Sequence, residues 1–136
     1  VIEGLSNDYP DLEFIIPMHP NPNVQKHRGI FQKVNVIDTV GRDELLQLIK
    51  ESVTVISDSG GIQEECSYLK RNVIVCRQIT ERPESVGISS FLCGVPENLK
   101  DIFDSIVHKD DPTESCPYGN GDSSKRIVAI LKELVE

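Results

Sequence analysis

The stretch Asp58-Ser59-Gly60-Gly61-Ile62-Gln63-Glu64-Glu65 joins an apolar run, Val53-Thr54-Val55-Ile56-Ser57, to a helical pattern, and its residue types suit the capture of an anion. The first turn of a helix carries backbone N–H groups without intrahelical partners and about half a positive charge. Gly60 and Gly61 remove the side chains that would block a phosphate, while Ser59 can cap the helix or donate its hydroxyl to the ligand. Glu65, one turn in, is placed to accept hydrogen bonds from ribose hydroxyls if phosphates sit at the tip. The same stretch also reads as a plain tight turn with a good N-cap that binds nothing.

Further polar groups follow the ends of other apolar runs. His19 lies in Met18-His19-Pro20-Asn21-Pro22-Asn23, a loop stiffened by prolines. It could act as acid, base or phosphate donor, or merely order its loop. Arg82, in Thr80-Glu81-Arg82-Pro83-Glu84, carries a planar fork that suits a diphosphate. Its alternative is an ordinary ion pair with Glu81 or Glu84. In open parallel sheets the carboxyl ends of the strands share the edge where ligands bind, so this convergence predicts a phosphate-bearing ligand. His27 and His108 read as surface residues, and Asp110-Asp111 as a solvated face. The sequence has no G-x-G-x-x-G, no G-x-x-x-x-G-K-[ST] and no clustered His/Cys pattern, so neither a dinucleotide, a P-loop nor a metal site is expected.

The elements that must position these groups alternate along the chain. Ile2-Glu3-Gly4-Leu5 reads as the end of a helix, broken at Ser6-Asn7-Asp8-Tyr9-Pro10. Apolar runs predict strands over 13–17, 34–38, 53–57, 72–76 and 89–93. Between and after them, Leu45, Leu46, Leu48 and Ile49 give the face of a short helix, a second helix runs from about Gly61 to Leu69, and Leu99, Ile102, Phe103, Ile106 and Val107 mark a third with Pro96 at its start. A polar loop from Asp110 to Ser124 precedes a last helix with Ile127, Val128, Ile130, Leu131, Leu134 and Val135 on one face. Strands alternating with helices over short loops predict an α/β domain with a doubly wound, Rossmann-like parallel sheet.

A length of 136 residues fits one domain, 1–136, and a formal charge of -8 disfavours nucleic-acid backbones and anionic membranes as partners. No apolar stretch reaches the length of a membrane span. Cys66, Cys76, Cys93 and Cys116 are widely spaced and fall mostly within apolar patterns, which predicts free thiols and a cytoplasmic location. The opening Val1, already inside a helical pattern, is read as the start of a piece of a longer protein.

Together, His19-Pro20-Asn21-Pro22-Asn23-Val24, Ser57-Asp58-Ser59-Gly60-Gly61-Ile62-Gln63-Glu64-Glu65, Thr80-Glu81-Arg82-Pro83-Glu84 and Pro117-Tyr118-Gly119-Asn120-Gly121-Asp122 resemble the non-hydrolysing UDP-N-acetylglucosamine 2-epimerases, in the same order and over nearly the whole chain. The resemblance implies a glycosyltransferase-B-like enzyme of two Rossmann-type domains, of which this chain is most of the second, truncated at its N-terminus. It implies interconversion of UDP-N-acetylglucosamine and UDP-N-acetylmannosamine through elimination of UDP to a 2-acetamidoglucal and re-addition, with no cofactor, in a homodimeric full-length enzyme. Carried over by motif, Ser59, Gly60 and Gly61 hold the diphosphate, Glu65 the ribose hydroxyls and Arg82 the phosphates, and His19 stands beside the reacting sugar phosphate. The acidic residues that handle the C2 proton belong to the first domain.

Some positions depart from the family pattern. Leu45 stands where many relatives have an aromatic side chain over the uracil, Val40 where they have Gln, and Lys70-Arg71-Asn72 replaces a common Gly-Lys-Pro. Competing readings are a UDP-sugar glycosyltransferase, a hydrolysing epimerase, or a nucleotide-sugar-binding regulatory module without catalysis.

Overall fold

The computed structural model describes residues 1–135, and the chain alternates helices and strands as the pattern predicts. Its strands are β1 (Ile15–Met18), β2 (Asn35–Asp38), β3 (Thr54–Ser57), β4 (Asn72–Val75) and β5 (Ser90–Leu92). Its helices are α1 (Ile2–Asp8), α2 (Pro22–Gln25), α3 (Arg42–Glu51), α4 (Gly60–Tyr68), α5 (Leu99–Ile106) and α6 (Ser123–Val135).

All strand pairings are parallel, but they fall into two hydrogen-bonded sheets, β1-β2 and β3-β4-β5. Among the described residues no ladder joins β1 to β3. The register aligns Ser57 with Val75 and Val75 with Leu92, so the carboxyl ends of β3, β4 and β5 lie side by side.

β4 is buried along its whole length, as an unbroken apolar run requires when helices cover both sheet faces. Successive side chains of a strand point to opposite faces. Ile74 accordingly packs with Leu5 of α1, Cys93, and Leu99, Phe103 and Ile106 of α5, while Val73 and Val75 pack with Ile49 of α3 and Cys66 of α4. The second cluster matters for the site, because it fixes α3 and α4 against the strand ends that carry the polar loops.

Local chemistry explains the differences at element ends. α1 continues through Ser6-Asn7-Asp8 because Ser6 Oγ and Asn7 Nδ2 both donate back to the Glu3 carbonyl, at 2.9 and 2.8 Å, within helical geometry. Pro96 opens a short 3-10 turn, Pro96–Asn98, with α5 beginning at Leu99. α4 ends in a Schellman motif: the Arg71 amide donates to the Cys66 carbonyl at 2.8 Å and the Lys70 amide to Ser67 at 3.3 Å, with Lys70 at a φ of 56°. The apolar face of α6 is exposed, with Leu134 at 77%.

Candidate functional site

The turn between β3 and α4 is built as the residue types suggest. Ser59 is extended, at φ -84° and ψ 124°, and caps the helix by accepting the Ile62 amide on its side chain. The Ser59 amide is itself taken by Ser57 Oγ at 3.1 Å. The Gly60 and Gly61 amides, first in the helix, meet no acceptor among the described residues. They are the orphan donors to which an anion can bind.

Arg82 closes on this turn. A Cβ built on Gly60 would lie 3.5 Å from Arg82 Cζ and 2.9 Å from Glu81 Oε1, so the absent side chain is what lets the guanidinium and the Glu81 carboxylate approach the helix tip. Gly61 is more open, its nearest neighbour being Ser59 Oγ at 3.8 Å. The guanidinium Nε bonds to Glu64, and Nη1 lies 3.6 Å from Glu81. Of the two acids that the sequence offered as ion-pair partners it thus meets Glu81, and Glu64 takes the place of Glu84. The hydrogen bond that Arg82 donates to Glu64, reinforced by the charges of Glu64 and Glu81, raises the Arg82 pKa further above its already high ordinary value. Glu81 is held below the usual carboxylate range, first by its own backbone amide and next by Arg77, whose Nη1 is 2.5 Å away. The site thus presents a permanent cation paired with the Glu64 and Glu81 carboxylates, beside two amides that meet no acceptor among the described residues.

Glu65 lies one turn inside α4 with its side chain 20% exposed, paired with Arg42 at 2.9 Å. These two residues, with Leu46, Glu64, Tyr118 and Gly119, line a cavity of about 410 Å³ between α3, α4 and the segment before α6. Leu45 turns the other way and packs against Ile49, Cys66, Val73 and Val75. Val40 is half-buried in the loop before α3.

His19 is exposed at the end of β1. Its Nδ1 accepts the Asn21 amide at 3.1 Å and its carbonyl accepts Gln25 Nε2 at 3.0 Å. With Nδ1 an acceptor, the neutral ring carries its proton on Nε2, so the free nitrogen is a donor. No hydrogen bond or ion pair joins His19 to α4 or to residues 80–85 among the described residues. The structure therefore brings together Ser59, Gly60, Gly61, Glu65 and Arg82, while His19 stands on the other sheet.

Arg42, Leu46 and Gln63 are site residues that sequence reading passed over. Gln63 was open to detection: it shares a helix face with Cys66 and Ser67, and a long polar side chain on a buried face must find partners. No group of His, Cys, Asp and Glu among the described residues could hold a metal ion. No described helix is long and apolar enough to cross a membrane.

The model of the UDP-N-acetylglucosamine 2-epimerase family matches residues 1–132. The chain belongs to that family. It is 36% identical over 138 residues to the UDP-N-acetylglucosamine 2-epimerase of Neisseria meningitidis serogroup A, covering 93% of this chain and 37% of the relative. It is 33% identical over 143 residues to the Bacillus subtilis enzyme of the same name, again covering 37% of that relative. The Neisseria meningitidis epimerase crystallised with UDP-GlcNAc superimposes with a TM-score of 0.85 at 35% identity, over 97% of this chain and 38% of that one. A Methanocaldococcus jannaschii epimerase in complex with UDP-GlcNAc and UDP gives 0.82 at 33% identity, over 97% and 39%. The α/β fold with parallel strands is that of these epimerases. The chain spans about 37% of the length of the curated epimerases it matches.

Proposed function

We propose that this chain is the UDP-binding half of a non-hydrolysing UDP-N-acetylglucosamine 2-epimerase, a second Rossmann-type domain that works against a first domain carrying the acid and base. The observation that carries the reading is the approach of Arg82 to Gly60 at a helix tip whose Gly60 and Gly61 amides meet no acceptor among the described residues. The bound nucleotide sugars of its structural neighbours support it. So does topology: 2-1 and 3-4-5 is what a doubly wound sheet of order 3-2-1-4-5-6 leaves when its first strand comes from elsewhere in the protein.

In this reading the Gly60 and Gly61 amides and the Ser59 hydroxyl bind the diphosphate, with Arg82 on its far side. Glu65 exchanges Arg42 for the ribose hydroxyls, and the nucleoside lies toward α3, beside Leu46 and the loop that carries Val40, while Leu45 stays in the core. A base in the first domain removes the C2 proton, the C1–O bond breaks, and its electron pair leaves with UDP to give the 2-acetamidoglucal. Charge then grows on the phosphate oxygens, where fixed amides and a permanent cation lower the barrier most. His19, through its Nε2 proton, donates to the same phosphate. Re-addition of UDP returns the proton to C2 on the opposite face.

The test incubates the complete protein with UDP-N-acetylglucosamine in deuterated water. Appearance of UDP-N-acetylmannosamine with deuterium at C2 supports the reading; release of free N-acetylmannosamine, or sugar transfer to an acceptor, would replace it with a hydrolase or a transferase.

A further inference from the structure

Beneath Arg82 lies a polar network whose members converge on the backbone of that one residue. Gln63 Nε2 donates to the Arg82 carbonyl at 2.8 Å and to Ser85 Oγ at 3.0 Å, and its Oε1 accepts from Thr80 Oγ1 at 2.6 Å. Thr80 Oγ1 in turn accepts the Arg82 amide at 3.1 Å. Tyr118 reaches in from 36 positions along the chain, its hydroxyl 3.1 Å from the Arg82 carbonyl and 2.8 Å from Ser85 Oγ. The Ser85 and Ser90 hydroxyls are 2.7 Å apart. Gln63, Ser85 and Ser90 expose no surface.

A buried network with every member satisfied fixes one conformation, and its partial loss leaves buried groups unpaired. Here both backbone groups of Arg82 are held by side chains, its amide by Thr80 and its carbonyl by Gln63 and Tyr118. A strand pairing or a turn would satisfy them with less. Fixing the Cα on both sides gives the guanidinium a fixed root beside Gly60, which lowers the ordering cost when an anion binds.

We infer that Gln63 and Tyr118 are positioning residues for phosphate recognition, clamping the Arg82 peptide so that its guanidinium stands over the α4 tip. Tyr118 also ties that geometry to the segment leading into α6. The inference rests on the proposal that this tip holds the diphosphate of UDP.

Tyr118→Phe removes one hydroxyl and keeps the ring. NMR titrations of the chain with UDP, inorganic pyrophosphate and uridine should show affinity for the first two falling about five- to tenfold, the worth of one hydrogen bond, with uridine unchanged. Thermal unfolding should move by no more than about 4 °C. In an Arg82→Ala background the same substitution should cost nothing more, since the group it positions is gone. Ser85→Ala, which removes the hydroxyl that Gln63 and Tyr118 share, should repeat the pattern. Equal losses for uridine and pyrophosphate, or an undiminished effect in the Arg82→Ala background, would overturn the positioning role. So would a Tyr118→Phe chain that binds UDP like the wild type. A wild-type chain that binds neither UDP nor pyrophosphate would instead remove the diphosphate reading, and this inference with it.

Discussion

The Arg42 guanidinium lies 2.9 Å from the Glu65 carboxylate, joining the start of α3 to α4 across the mouth of the cavity. Glu65 is the residue proposed to hold the ribose, so in the free chain its acceptor is occupied. Arg42 is 75% exposed, and an ion pair so open to water contributes no more than about 1 kcal/mol. Arg42→Ala should therefore hardly change stability, while UDP affinity rises by up to about fivefold as the competitor is removed. Glu65→Ala should cost about 1.5 to 3 kcal/mol for UDP and leave pyrophosphate binding unchanged. Calorimetry with both ligands separates the two effects; a parallel loss for pyrophosphate would show that Glu65 acts through the fold.

Gly61 offers a sharper contrast between folding and binding. A Cβ there meets only Ser59 Oγ at 3.8 Å, and the residue lies inside α4. Gly61→Ala should stabilise the chain by about 0.5 to 1 kcal/mol through helix propensity, while lowering UDP affinity because the methyl stands before the amide. Gly61→Val should abolish UDP binding and leave the far-UV CD spectrum nearly unchanged. Denaturant midpoints and UDP titrations on the same samples give the comparison, and equal affinity in wild type and both variants would remove the anion from this turn.

Apolar runs and glycines made most of this architecture legible. Five strands and the helices that cover them follow from local patterns, and the Ser59 cap and Gly60-Gly61 tip from residue types alone. Relationships across the chain were not legible. Arg82 choosing Glu64 over Glu84 depends on how α4 faces the following loop, and the Tyr118 hydroxyl finds the Arg82 carbonyl only after folding. Helical spacing alone cannot say that Leu45 enters the core while Leu46 lines the cavity, because both fall within the broad apolar face of α3. The split of the sheet was hidden too, since strand runs do not name their neighbours.

Lys70 is the one non-glycine residue with positive φ among those described, at 56°, where many relatives are expected to have Gly. An L side chain in the left-handed region costs roughly 1 kcal/mol, and the Schellman bonds of Lys70 and Arg71 hold it there. Lys70→Gly should raise stability by about 0.5 to 1 kcal/mol without changing UDP affinity. A fall in the urea midpoint would mean that the Lys70 side chain, whose Nζ lies 3.4 Å from the Thr113 carbonyl, contributes more than the backbone strain removes.

Burial pushes the Cys66 thiol up from 9.0 to about 12, with the Glu65 charge adding to it. The folded chain keeps this proton where the unfolded chain gives it up. Its contribution to stability is therefore fully present below pH 9.0 and is lost as pH rises toward about 12. Cys66→Ala should be less stable at neutral pH, because a packed sulfur is lost, but should show a flatter alkaline decline. Urea unfolding from about pH 8 to about pH 10.5 makes the comparison. Parallel declines in both proteins would assign the alkaline loss to other groups, such as Tyr9, whose hydroxyl is held protonated by Asp104.

The chain by itself should bind UDP weakly and epimerise nothing. Its own strand ends carry the proposed diphosphate and ribose ligands, whereas the acid and base for the C2 proton are assigned to the other domain. Loss of a positioned acid or base costs about 100- to 10,000-fold in rate, and an open cleft also forfeits orientation and the exclusion of water. Contacts from the facing domain are lost as well, so the UDP dissociation constant should lie nearer millimolar than micromolar, roughly 4 to 6 kcal/mol of binding. The measurement is calorimetry or NMR titration with UDP, alongside C2 proton exchange of UDP-N-acetylglucosamine in deuterated water. Weak binding without exchange places recognition in this chain and proton transfer outside it. Exchange at the rate of a full-length relative would mean that a group within this chain serves as the base, and His19, exposed at the end of β1, would be the first residue to substitute.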